Sequence, residues 1–392
     1  MQTSEIDVFS VDFQTDPYPS YALLRREAPV FRESRYGAYL LTRHADVDAA
    51  LRDHETFRSG AGPTPMPPRP GRPGMGALPL LAATDPPYHD QLRGLVSRAF
   101  TPRRVAAAEA KIRELAQRLV AELPEGEFDL VSALSAPLPV TVIADMLGVD
   151  ASDQADFRSW SDAVVGAMDR PPEPEMLAAS AQIVGYFRER VEARRKSPRD
   201  DLISDLLVAE IDGRRLSEAE LDAFFIMLLV AGNETTTNWI SNHVAILAAR
   251  PELWQACRED RSQVPIALEE TLRFDSPVQN LGRETTREVE VGGVTIPAGS
   301  WVIVSFGAAN RDPEVFDGPD EYRLDRGEPR HLAFGQGRHF CLGAGLARLE
   351  GRLALEALLE RFETLEPGSA SPERLRSTVI HGFEALPIAG RT

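Results

Sequence analysis

Cys341 sits in the run Phe334-Gly335-Gln336-Gly337-Arg338-His339-Phe340-Cys341-Leu342-Gly343, and an alanine- and leucine-rich helix is predicted from Gly343 to about Phe362. A glycine-rich loop that carries one cysteine to a helix start constrains the fold tightly, because glycines let the backbone approach a flat object closely. A thiol in that setting meets unpaired backbone N–H groups and the positive end of the helix dipole, which favour the thiolate. Thiolate is the form that binds a metal. Arg338 and His339 can supply donors for anionic groups beside it, and Phe334 can cover the sulfur. Read alone, a single cysteine is a buried helix cap by default. The joint spacing of Phe, two Gly, Arg, His, Cys and Gly argues against that here.

The chain has 392 residues without a polar linker or repeat, so one domain spanning 1–392 is expected. A formal charge of −17 argues against non-specific nucleic-acid binding and for a soluble protein. Two cysteines, Cys257 and Cys341, cannot make a disulfide framework and fit a reducing, cytoplasmic setting. The first twenty residues are acidic and lack an apolar core, so neither signal peptide nor membrane anchor is expected. The longest apolar run, 224–232, is too short to span a bilayer.

Helices are predicted at 17–28, from Asp85 onward, from Pro102, and at 136–148, 152–168 and 175–196, with a break at Arg170-Pro171-Pro172-Glu173-Pro174. A hairpin is predicted over 29–42, turning near Tyr36-Gly37. Residues 59–80 hold seven prolines and five glycines and read as a long irregular loop, functional or mobile. Ser217-Glu218-Ala219-Glu220 is a capping box, opening a helix that extends to Ala249 and is apolar all round over 223–231. Further helices at 251–260 and 264–274 precede strands over 288–306, a meander over 311–333 and a last hairpin within 377–388. The sum is a mainly α fold with small β-sheets.

Within the long helix lies Ala231-Gly232-Asn233-Glu234-Thr235-Thr236. Glycine costs about 1 kcal/mol in a helix interior relative to alanine. Thr235 can bond back to the Ala231 carbonyl and bend the helix, placing an acid and an alcohol in an apolar wall. The bland alternative is a solvated helix face. Glu270-Thr271-Leu272-Arg273 puts a carboxylate and a guanidinium on one helix face. By itself that is a surface pair worth about 0–1 kcal/mol. His89, Arg93, Arg283 and His339 are scattered cations, each of which alone could be an ordinary surface charge.

Together these motifs resemble those of cytochromes P450, and the resemblance covers essentially the whole chain. It implies a triangular, helix-rich fold of the soluble bacterial type, and haem b as cofactor, with Cys341 the axial iron ligand. Phe334 and Gly335 belong to the same haem-binding loop. The resemblance gives the haem propionates to His89, Arg93, Arg283 and His339, dioxygen to Thr235 and proton supply to Glu234. It makes Glu270 and Arg273 the E-x-x-R pair that pins the core beside the haem loop. The family usually adds an arginine from the meander. Glu321 stands where that arginine aligns, so Arg323 or Arg326 substitutes or the triad is incomplete. The implied activity is a monooxygenase that inserts one atom of dioxygen into a C–H bond. NAD(P)H would feed it through a ferredoxin reductase and a ferredoxin, landing on Arg103, Arg104, Arg338 and Arg348. A monomer is expected. Two rivals are a peroxide-driven peroxygenase, against which Glu234-Thr235 counts, and a non-catalytic haem sensor, which would not need Thr235.

The expected pocket walls are 59–80, 160–185, 228–235, 277–281 and 381–383. Their Met75, Leu78, Leu80, Leu81, Val165, Met168, Val278 and Leu281 suggest an apolar pocket for a fatty-acid, terpenoid or steroid-like molecule.

Overall fold

The computed structural model describes every residue except 1, 68–78, 98–99, 166–173 and 328. Ser217 Oγ accepts from the Glu220 amide while the Glu220 carboxylate accepts from the Ser217 amide, which is the expected capping box. It opens a central helix that runs unbroken from Glu218 to Ala248, with every residue from Thr236 to Val244 buried. A helix with so little polar face must be surrounded. Pro137–Leu147, Pro174–Lys196, Gln263–Phe274 and Ala344–Arg361 all pack on it. Gly351, on the last of these, allows the close approach. A Cβ there would already lie 3.3 Å from both Leu268 and Trp239.

The remaining helices also fall where the pattern places them, at Tyr18–Glu27, Tyr88–Ser97, Pro102–Glu122, Gln154–Val165 and Pro251–Glu259. His44–Arg52 adds one that the pattern does not announce. Val30–Arg32 and Tyr39–Leu41 form the hairpin, with Gly37 at φ 73° in its turn. Tyr39–Leu41 continues parallel to Trp301–Ser305, which pairs antiparallel with Asn280–Thr285, and Phe57–Arg58 closes the far edge. Asn280–Thr285 is a strand not anticipated from sequence, and it carries Arg283.

The tail departs from expectation. Its strands do not form a hairpin with each other. Phe383–Ala385 pairs with Glu373–Arg374, and Pro387–Arg391 lies between Gly126–Asp129 and Thr364–Pro367. Three-stranded pairing leaves Ile388 1% exposed, burial that an isolated surface hairpin does not provide.

The start of the proline-rich stretch is pinned to the sheet. The Gly282 amide donates to the Pro63 carbonyl at 2.8 Å, and Trp301 Nε1 donates to the Pro65 carbonyl at 2.9 Å. Only glycine fits at 282, since a Cβ would fall 2.0 Å from the Thr64 carbonyl oxygen. Met75, Leu78, Met168, the break at 170–173 and the Val165 side chain lie outside the described residues.

Candidate active site

The loop around Cys341 is shaped by two left-handed glycines, Gly335 at φ 70° and Gly337 at φ 66°. At Gly337 a Cβ would lie 2.9 Å from the Leu51 carbonyl oxygen, so the loop nests against the helix His44–Arg52. The Cys341 amide donates to the Phe334 carbonyl at 2.8 Å, which closes the loop. The helix Ala344–Arg361, here the cysteine helix, begins three residues later.

Burial pushes the Cys341 thiol above its ordinary range, outweighing the amides of Gly343 and Ala344 and the charges of Arg93 and Arg348, which pull it down. The amides at the helix start pull towards the thiolate in the expected direction, and burial opposes them. A bound metal cation would add to the pull towards the thiolate.

One cavity spans the space between Cys341 and the central helix. Arg93, Arg283 and His339 line it, as do Phe334, Gly335, Thr235 and Thr236. Most of the remaining wall is apolar, with Phe224, Met227, Leu228, Leu281 and Val278 among it. Leu81 is on the wall as expected, whereas Leu80 packs behind it with Ala83 and Ala223. Residues 381–383 are not on the wall. His381 lines a separate cleft, with Asp275 Oδ1 3.4 Å from its Nε2. The segment touches the cavity only indirectly, through the bridge between Ile380 and Val278.

Of the four scattered residues, Arg93, Arg283 and His339 line this cavity, and His89 sits behind His339. His89 is fully buried and its ring lies tilted against that of His339, their centres 4.3 Å apart. His89 Nδ1 lies 3.1 Å from Asp90, but the Nε2 atoms of both imidazoles have no partner. Arg93 donates to the Phe340 carbonyl at 2.8 Å, and Arg283 to that of Gly282 at 2.7 Å. Burial lowers the pKa of all four, Arg283 to about 10 and His339 to about 2. Two desolvated guanidiniums beside two imidazoles with orphaned nitrogens make a place suited to anions.

Thr235 Oγ1 donates to the Ala231 carbonyl at 2.8 Å, the back-bond expected from sequence. Gly232 serves packing too. A Cβ there would come within 3.0 Å of Ile143. Glu234 is not part of the cavity wall. Its Oε1 accepts from Asn238 Nδ2 at 3.2 Å, and Asn238 Oδ1 accepts from the Phe383 amide. No sequence motif marks Asn238 for this role.

Glu270 and Arg273 are completely buried and joined by two bonds of 2.8 and 2.7 Å. The third member is Arg326, whose Nε lies 3.1 Å from Glu270 Oε1. Glu321 contributes only its backbone carbonyl, which accepts from Arg273 at 2.8 Å. Sequence reasoning also misses Glu269. Arg348 grips it with bonds of 2.7 and 2.9 Å and His331 lies at 3.0 Å, while the Arg348 guanidinium covers the Phe334 ring at 4.6 Å. The doubled glutamate, Glu269-Glu270, is the one signal that could point to it.

A half-buried sulfur, apolar walls and a cationic end with orphaned nitrogens suit a flat apolar group with a metal centre and an acidic edge. Haem b has that form. A sequence profile of the family Cytochrome P450 matches residues 140–384. The chain is 41% identical over 381 residues to the erythromycin C-12 hydroxylase of Saccharopolyspora erythraea, covering 93% of this chain and 92% of that one.

The chain belongs to the cytochrome P450 family.

A second relative, the vitamin D(3) 25-hydroxylase of Pseudonocardia autotrophica, is 40% identical over 393 residues, covering 98% of this P450 and 96% of the relative. The structure of cytochrome P450 CYP109Q5 from Chondromyces apiculatus superposes with a TM-score of 0.92 at 38% identity, covering 100% and 99% of the two chains. This P450 is accordingly a monooxygenase with a haem-iron cofactor. None of its described helices is long and apolar enough to cross a membrane. Of the four arginines expected to form a landing patch, three are engaged by carboxylates. Arg104 pairs with Asp200 and Asp205, Arg338 with Asp90, and Arg348 with Glu269. Arg103 is exposed.

Proposed function

We propose that this P450, one domain over residues 1–392, hydroxylates a lipophilic small molecule of fatty-acid, terpenoid or steroid-like character. The observation that carries the reading is the cavity itself, where one cysteine, two buried arginines, an imidazole with an orphaned nitrogen and a largely apolar wall face the same space. Relatives at 41% and 40% identity are named for erythromycin and for vitamin D(3), so overall identity does not select the substrate, whereas both names fit an apolar wall.

When bound, the haem supplies oxidising power at iron. Cys341 holds the iron as its thiolate. Arg93, Arg283, His89 and His339 would hold the two propionates through charge-assisted hydrogen bonds. Phe334 and Gly335 shape the floor around the sulfur, and Phe334 limits water there. Phe224, Met227, Leu228, Val278 and Leu281 orient substrate and exclude water. Thr235 Oγ1 spends its only proton on Ala231, so towards the cavity it can only accept a hydrogen bond. It orients the donor proton of whatever polar species stands beside it. Glu234, held by Asn238 outside the wall, takes protons from solvent and passes them inward. Glu270 and Arg273, with Arg326, fix the polypeptide beneath the cysteine loop. Electrons come from NAD(P)H through a ferredoxin reductase and a ferredoxin. The protein works as a monomer in the cytoplasm.

The test is spectroscopic and catalytic together. Reduced protein with carbon monoxide should show the strongly red-shifted Soret band of a thiolate ligand, and Cys341→His should lose it. NADH-driven turnover with a ferredoxin system should give hydroxylated product from a lipophilic library. A globin-like band in freshly prepared wild type would overturn the reading.

A further inference from the structure

The cleft that His381 lines encloses about 640 Å³ and shares no described lining residue with the main cavity. Three arginines border it, Arg250, Arg311 and Arg374. Arg311 is committed. Its Nε donates to the Phe274 carbonyl at 2.8 Å and its Nη1 to Asp320 at 3.3 Å, and its guanidinium lies 3.5 Å from the centre of the Tyr18 ring and 3.8 Å from that of Phe274. The other two are open. Among the described residues, Arg250 donates only to the Ile246 carbonyl, at 3.3 Å, and pairs with no carboxylate. Arg374 Nη1 is buried without a hydrogen-bond partner, and Asp275 Oδ2 stands 4.0 Å away from it. Asp and Glu outnumber Lys and Arg by 60 to 43 in this chain, so two open guanidiniums in one cleft run against its composition. Asn242, 0% exposed, leaves the complementary gap. Its Nδ2 donates to the carbonyls of Asp275 and His381 at 3.2 and 2.9 Å, which fixes the amide, and its Oδ1 has no donor. An open donor and an open acceptor therefore flank Asp275, whose Oδ1 accepts from the Tyr18 hydroxyl at 2.6 Å. Water satisfies Asn242 but brings no charge to the guanidiniums.

We propose that this cleft binds a free amino acid with an apolar side chain, as an effector of the substrate cavity. The carboxylate takes the open donors of Arg374 and Arg250 in charge-assisted bonds. The ammonium donates to Asn242 Oδ1 and faces the Asp275 carboxylate, which would repel a plain anion. Pro19, Ala22, Ala245 and Ile246 give the side chain an apolar wall. Short links join the cleft to the substrate cavity. The His381 amide donates to the Pro277 carbonyl at 2.8 Å, the Gln279 amide donates to the Val379 carbonyl at 2.7 Å, and Ile380 bridges to Val278. Pro277 and Val278 both line that cavity. An amino acid held between Asp275, Asn242 and Arg374 therefore steadies the wall that substrate meets. The effect on substrate rests on the monooxygenase reading, but the binding does not.

The experiment is calorimetric titration of wild-type holoprotein with L-leucine and L-phenylalanine. At least one should bind, one molecule per chain. Isocaproate, which lacks the ammonium group, and L-leucinamide, which lacks the carboxylate, should bind at least about tenfold more weakly than L-leucine. No binding of either amino acid, or equal binding of the three leucine-shaped probes, would overturn the proposal. Arg374→Ala and Arg250→Gln should each weaken amino-acid binding by about tenfold or more. Arg376→Ala removes an exposed arginine outside the cleft and should leave it unchanged. An equal loss in Arg376→Ala would show general charge attraction and overturn the site. If Arg250→Gln does not fold, Arg374→Ala decides alone. Hydrogen exchange of the Gln279 and His381 amides should slow by about threefold or more when the amino acid is bound. Unchanged exchange there would overturn the effector role. Wild type that bound leucine but made no product would refute the monooxygenase reading and not this site.

Discussion

Arg326 Nε lies 3.1 Å from Oε1 of Glu270, a carboxylate with no solvent exposure that Arg273 already holds at two points. The amide of Arg323 adds a bond of 3.0 Å to the same oxygen, while the Arg323 side chain turns to Asp317 and Asp325 at the surface. Glu270→Ala strands a buried guanidinium and should cost about 3–5 kcal/mol. Arg326→Ala leaves Glu270 with its other partners and should cost about 1–3 kcal/mol. Arg323→Ala should cost under about 1 kcal/mol. Denaturant unfolding of the three holoproteins checks that order.

Glu269 gives a pH signature. Burial pushes its carboxyl up, but the bonds from Arg348 and His331 outweigh this and bring it down to about 2. A lowered folded pKa means stability that is complete above the unfolded carboxyl value and lost as pH falls towards the folded one. Glu269→Gln should therefore destabilise by about 2–3 kcal/mol at pH 7, and the difference should shrink between pH 4.5 and 2. Melting curves of both proteins across that range measure it.

Removing Arg93 and Arg283 together should weaken haem retention sharply, because two buried propionates would lose charged partners. Haem content after gel filtration of the double alanine variant reads this directly. A full complement of haem would speak against the propionate assignment.

Thr235→Ala should keep substrate affinity and oxygen consumption but release more peroxide and less hydroxylated product. The variant loses an acceptor worth about 1–3 kcal/mol in a late step and leaves the apolar wall in place. Glu234→Gln should instead slow oxygen consumption itself. Product, peroxide and oxygen measured per electron pair separate the two outcomes.

Gly351→Val should lower stability by about 1–3 kcal/mol through overpacking, since Leu268 and Trp239 stand 3.3 Å from the position of the first added carbon. The melting temperature of the holoprotein checks this.

Features set by neighbours in the chain are legible in the amino-acid sequence alone. The Ser217–Glu220 cap, the Thr235 back-bond to Ala231 and the Glu270–Arg273 pair each span three or four residues, the reach of one helical turn. The glycines of the cysteine loop declare their left-handed backbone by their identity. Other features need the tertiary structure, because they join residues far apart or depend on burial. Arg326 reaches Glu270 across 56 positions, Arg348 reaches Glu269 across 79, and the last strand pairs with residues more than 250 positions away. Local pattern carries no information at that range. Burial acts through the same long-range assembly. It pushes the Glu350 carboxyl well above its ordinary range and opposes the helix-start amides at Cys341, and neither effect can be read from neighbours in the chain.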